Sequence, residues 1–138
     1  MITFLYTLRC IPFVYPYAIT SGEWLKMPID ERRETAYIPE WILGLMTTDQ
    51  LIINIIESPG AIYMLAYPKS SMDGFTNIHR ELRTRTDAPQ KLLAWCKELR
   101  EADDPRFIYI DIIMSEGTYW NALTPAEKEY WDTLHARK

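Results

Sequence analysis

Apolar positions follow three rhythms along this chain, and each rhythm predicts a different element. Ile2, Phe4, Tyr6 and Leu8 alternate with Thr3, Leu5 and Thr7, the period-two pattern of a strand rich in β-branched and aromatic residues. A helical rhythm appears in the second half, where Ala88, Leu92, Trp95, Leu99 and Ala102 form one stripe opposite Lys91, Lys97, Glu98 and Glu101. Asp87 with Gln90 resembles a capping box at its start, and Asp103-Asp104-Pro105 ends it. Phe75, Ile78 and Leu82 predict a shorter helix over 74–84. Thr124-Pro125-Ala126-Glu127 joins an N-cap, a proline at the first helical position and a reciprocal glutamate, predicting a last helix over 125–136 with Ala126, Tyr130 and Leu134 inward.

The third rhythm is continuous apolarity. Leu51-Ile-Ile-Asn-Ile-Ile56 is apolar on both faces apart from Asn54, and Ala61 to Tyr67 is nearly so. Thr47 with Gln50 fits a capping box and a helix over 48–57. Against that stand four isoleucines in seven residues, which suit a pleated surface, and Pro59-Gly60, which suits a type II turn. These favour a hairpin of interior strands. Phe107-Ile-Tyr-Ile-Asp-Ile-Ile-Met114 reads as a further strand, and 115–123 as a loop. Prolines four apart keep Ile11 to Tyr17 extended at an edge or on the surface. One helical turn fits 30–35.

The expected fold is therefore a single α+β domain over 1–138, a mostly antiparallel sheet of four to five strands with helices on one face. The alternative is a ferredoxin-like α/β sandwich, obtained if 39–57 is helical and 77–85 is a strand.

Composition narrows function more than it identifies it. With 138 residues, 48% hydrophobic and 25% charged, the chain suits a folded domain rather than disorder. A net charge of −4 disfavours nucleic acid, since a general phosphate binder carries a basic excess. Cys10 and Cys96 lack the paired spacing of a metal site and read as free thiols, so neither metal nor cofactor is expected. The longest charge-free run, Cys10 to Gly22, has 13 residues with two prolines, short of the roughly 20 that span a bilayer. No membrane partner and a cytoplasmic location follow as expectations. Glycine-rich phosphate loops, GxSxG and HExxH are all missing from the sequence.

Candidate chemistry is sparse. His79 stands near Glu81, but on a helix side chains two apart point in different directions. His135 reads as a cation near a helix C-terminus. Asp111 and Glu57 each interrupt or end an apolar segment, and on adjacent strands the two carboxylates could share a proton or an ion. Arg80, Arg83, Arg85, His79 and Lys91 form the main basic concentration, suited to a phosphate or an acidic surface.

The aromatic excess, 5 Trp, 9 Tyr and 4 Phe, carries most weight, because amphipathic rings are enriched at interfaces. Phe13, Tyr15, Tyr17, Tyr119, Trp120 and Trp131, with Arg80, Arg83 and Arg85, are the expected partner-binding residues. The leading expectation is a protein-interaction module, an inhibitor or adaptor of phage or mobile-element type, able to self-associate through its isoleucine-rich strands. A small enzyme or ligand-binding domain with a subunit-boundary site would use Asp111, Glu116, Tyr119, His79 and the Arg80/Arg83 pair. Nucleic-acid binding is the weaker third reading.

Overall fold

The computed structural model describes residues 22–28, 30, 31, 37–58 and 77–136. Its elements in chain order are α1 (Gly22–Lys26), α2 (Glu40–Leu43), α3 (Thr48–Glu57), α4 (Ile78–Leu82), α5 (Ala88–Glu101), α6 (Phe107–Met114), α7 (Thr118–Asn121) and α8 (Pro125–Ala136). No strand occurs among the described residues. The expected α+β sheet is thereby overturned, and so is the ferredoxin-like alternative, since α4 occupies the stretch that needed a strand. The expected strands at 2–8 and 61–67, the extended Ile11–Tyr17 segment and the Pro59-Gly60 turn lie outside the described residues.

The isoleucine-rich segment is a helix because its first turn is closed from both sides. Thr47 Oγ1 accepts from the Gln50 amide at 3.1 Å, and Gln50 Oε1 accepts from the Thr47 amide at 2.9 Å. Leu51, Ile52, Ile53, Ile55 and Ile56 are all 5% exposed or less, so neighbours surround α3 on every side. The Asn54 side chain donates back to the Gln50 carbonyl. A weak strand preference of β-branched residues yields to that burial.

The stretch expected as a strand at 107–114 is helical for a similar reason. Asp104 accepts from the Arg106 amide at 3.0 Å, and the Phe107 and Ile108 amides donate to the Asp104 and Pro105 carbonyls. An acceptor followed by proline is a helix start. Helix α5 ends just before it, with Asp103 at φ 53° and the Asp104 amide closing back on the Leu99 carbonyl. Helices α5 and α6 thus pack as neighbours on the chain and in space.

The core runs through α3, α4, α5, α6 and α8. Trp95, Leu92, Leu99, Ile110, Ile113 and Ile78 are fully buried there. Asp87 departs from the expected capping role, because its carboxylate accepts from Thr48 Oγ1 at 2.7 Å instead and ties the starts of α3 and α5 together. Asp49, in the first turn of α3, accepts from Trp95 Nε1 and Lys91 Nζ of α5 at 2.9 and 3.1 Å. The inward face of α8 also differs from expectation: Trp131 and Leu134 are buried, whereas Ala126 and Tyr130 are exposed. Among the described residues no helix is long and apolar enough to cross a membrane.

Candidate functional site

Helices α6, α7 and α8 border an open cleft of about 420 Å³ lined by Asp111, Met114, Ser115, Gly117, Trp120, Trp131 and His135. Gly117, at φ 90°, lets the chain reverse between α6 and α7 in a conformation that side-chain-bearing residues rarely adopt. The reversal sets Trp120 edge-on to Trp131, with ring centroids 6.3 Å apart at 72°. One turn further along α8, His135 stacks on the Trp131 ring at 4.3 Å. Lys128 lies over the other indole, 5.6 Å from the Trp120 centroid.

The polar part of the cleft is a short pair. His135 Nε2 stands 2.7 Å from Asp111 Oδ1, and Nδ1 donates to the Trp131 carbonyl at 2.9 Å. A carbonyl only accepts, so Nδ1 carries hydrogen. One proton then lies between Nε2 and the Asp111 carboxylate. Both side chains are 27% exposed, which leaves the pair reachable from the cleft.

Cys96 of α5 lies behind this pair. Its sulfur, an Asp111 oxygen and a His135 ring nitrogen all lie within 4.8 Å of one another. The residue is fully buried, and burial, with the Asp111 charge adding to it, pushes the thiol up to about 12 against the partial relief of Arg100. A cysteine-protease-like relay does not form: both imidazole nitrogens are engaged with Trp131 and Asp111, so none remains to take the thiol proton.

The other residues singled out from the sequence are distributed differently. Glu57 pairs with Arg106 at 2.8 Å rather than with Asp111. Glu116 pairs with Arg83 at 3.0 Å, and Arg80 with Glu40 at 2.8 Å. Arg85 reaches Glu81 and donates to the Met46 and Leu43 carbonyls at 2.6 and 3.1 Å, closing the end of α2. With Lys91 on Asp49, the basic concentration is consumed in internal pairs. His79 is buried in α4 at 2% exposure and does not line the cleft. Tyr119 is buried at 3%, Trp131 at 8%, and Trp120 is half-buried. Phe13, Tyr15 and Tyr17 lie outside the described residues.

The sequence groups Trp120 with Trp131 as partner-binding rings but leaves Asp111 and His135 apart from them and from each other, and sets Cys96 aside as a free thiol. The Asp104-Pro105 helix start was the signal for α6, and α6 turns Asp111 toward α8. Matching the chain to protein-family models, curated proteins and solved structures finds none that resembles it.

Proposed function

We propose that this is a ligand-binding protein whose site is the cleft between α6, α7 and α8. The supporting observation is its composition: two indoles and Met114 form apolar walls of small-molecule size, and the Asp111–His135 pair supplies a convergent polar group. The ligand class that fits is a flat apolar molecule with one hydrogen-bonding or charged group. The half-buried Trp120 ring offers area for stacking, and the polar pair sets orientation. Thermal shift and tryptophan fluorescence with indole, benzamidine and benzoate test this, because a ligand bound only by the folded state raises the melting temperature. A shift with at least one of the three, lost in Trp120→Ala, is expected. No shift from any of them, or a shift that survives both Trp120→Ala and Asp111→Asn, refutes the reading.

A second reading, a protein-interaction module, draws support from Trp41 and Leu45, which are 72% and 77% exposed and four positions apart. Tryptophan is among the residues enriched at interface centres. Self-association through this pair predicts a concentration-dependent sedimentation coefficient that Trp41→Ser with Leu45→Ser abolishes. A monomer at every concentration refutes it. The buried Tyr119 and Trp131 give this reading no support.

A further inference from the structure

We infer that Cys96, Asp111 and His135 form a binding site for a four-coordinate divalent transition metal of the zinc type, its fourth position open to the cleft. Three different helices bring a sulfur, a carboxylate oxygen and an imidazole nitrogen within 4.8 Å of one another. Tetrahedral zinc, with bonds of about 2.0–2.3 Å, places its ligand atoms about 3.3–3.8 Å apart. The 2.7 Å contact between His135 and Asp111 has to widen, and no separation in the cluster has to shrink by more than about 1.5 Å.

The histidine is already oriented as a ligand. Its Nδ1–H is fixed by the Trp131 carbonyl, which leaves Nε2 directed at the cluster, and metal-bound histidines generally donate their other ring N–H to such a carbonyl. Nε2 and a carboxylate oxygen facing each other at 2.7 Å share a proton, which occupies the position a metal ion would take between them. A metal ion replaces that proton and draws the sulfur in as the third ligand.

Arg100 borders the cluster. Its guanidinium is held over the Phe107 ring at 3.7 Å, and its buried Nε–H has no hydrogen-bond acceptor. It stands beside Cys96, where it favours the thiolate. Mixed sulfur, nitrogen and oxygen donors suit zinc and cobalt(II) rather than calcium or magnesium.

Loading is a proton exchange. The metal forms bonds to sulfur, nitrogen and oxygen, and two protons leave: one from the Cys96 thiol, one from between Asp111 and His135. Affinity therefore rises with pH.

The site shares Asp111 and His135 with the proposed ligand cleft but does not depend on what the cleft binds. The test is titration of the full chain with cobalt(II), followed by zinc. The expected result is one equivalent of cobalt with a near-ultraviolet thiolate-to-cobalt charge-transfer band and intense visible absorption, both displaced by zinc. Cys96→Ser loses the charge-transfer band, and Asp111→Asn and His135→Gln each weaken binding at least 10-fold. Cys10→Ser leaves the spectrum unchanged, and circular dichroism verifies that each variant is folded. No thiolate band, a band that follows Cys10, or affinity untouched in all three site variants overturns the inference. Cobalt silence with benzamidine or indole still bound in the cleft separates failure of the metal site from failure of the ligand-binding reading.

Discussion

Replacing Thr47 with alanine tests whether the isoleucine-rich segment is held as a helix by its cap. In α3 the substitution removes the Oγ1 acceptor of the Gln50 amide and leaves the reciprocal Gln50–Thr47 bond to act alone. Loss of an N-cap acceptor costs about 1 kcal/mol, within a range of about 0.5–2. An unfolding entropy of about 2.1 cal/mol/K per residue over 138 residues gives about 0.3 kcal/mol per kelvin, so the melting temperature falls by about 3–4 °C. Thr47→Ser keeps the acceptor and stays within about 1 °C of the parent. Gln50→Ala combined with Thr47→Ala shows a coupling of about 0.5 kcal/mol or more, because the two bonds belong to one box. Thr124→Ala is an internal comparator, since Thr124 and Glu127 form the same box at the start of α8, at 2.8 and 3.1 Å. Calorimetric scans of these four variants, and of Gln50→Ala alone to complete the cycle, decide the matter. A melting temperature unmoved by Thr47→Ala while Thr124→Ala lowers it refutes the helical cap, and with it the account of why the isoleucines do not form a strand.

Trp95→Phe strips a buried donor from Asp49 and leaves unfilled space in a fully buried position, so urea denaturation should show a loss of about 2–4 kcal/mol. In a Cys10→Ser background, the remaining thiol should not react with a disulfide reagent at pH 8 until denaturant is added, because burial holds Cys96 near 12. The same elevation means that its contribution to stability is complete below about pH 9, its ordinary value, and is lost as the pH rises toward 12. A base-induced destabilisation removed by Cys96→Ser checks the sign. Asp104 and Glu127 behave oppositely: hydrogen bonds from Arg106 and from the Thr124 amide hold them below the usual carboxylate range. Their contributions are present above that range and disappear as the pH falls through the lowered values, so Glu127→Gln flattens stability against pH on the acid side.

Local signals in this sequence were sufficient wherever chain neighbours alone satisfy the backbone. The Thr124-Pro125-Glu127 start and the amphipathic stripe from Ala88 to Leu99 each predict their helix, and each appears where expected, as Pro125–Ala136 and Ala88–Glu101. The Thr47–Gln50 box was legible too, and the Asp104-Pro105 start carried the same message for α6. The box yields to β-branched composition in the sequence, where Asp103-Asp104-Pro105 reads only as the end of the preceding helix, because a segment buried on all sides, as 51–56 is, reads as one apolar run whether its period is two or 3.6.

Tertiary packing decided what the local pattern left open. Once 107–114 winds as a helix beside α5, Asp111 no longer ends on a sheet face; it meets His135 from α8, and Cys96 from α5 lies behind both. Those three residues are 15 and 24 positions apart along the chain, beyond any spacing motif. Their meeting depends on interhelical contacts made by Ile110, Ile113, Leu99 and Leu134, whose burial is a property of the assembled core. The arginines show the same division: their density was plain in the sequence, but only the fold gave Arg80, Arg83 and Arg85 the carboxylates and carbonyls that engage them.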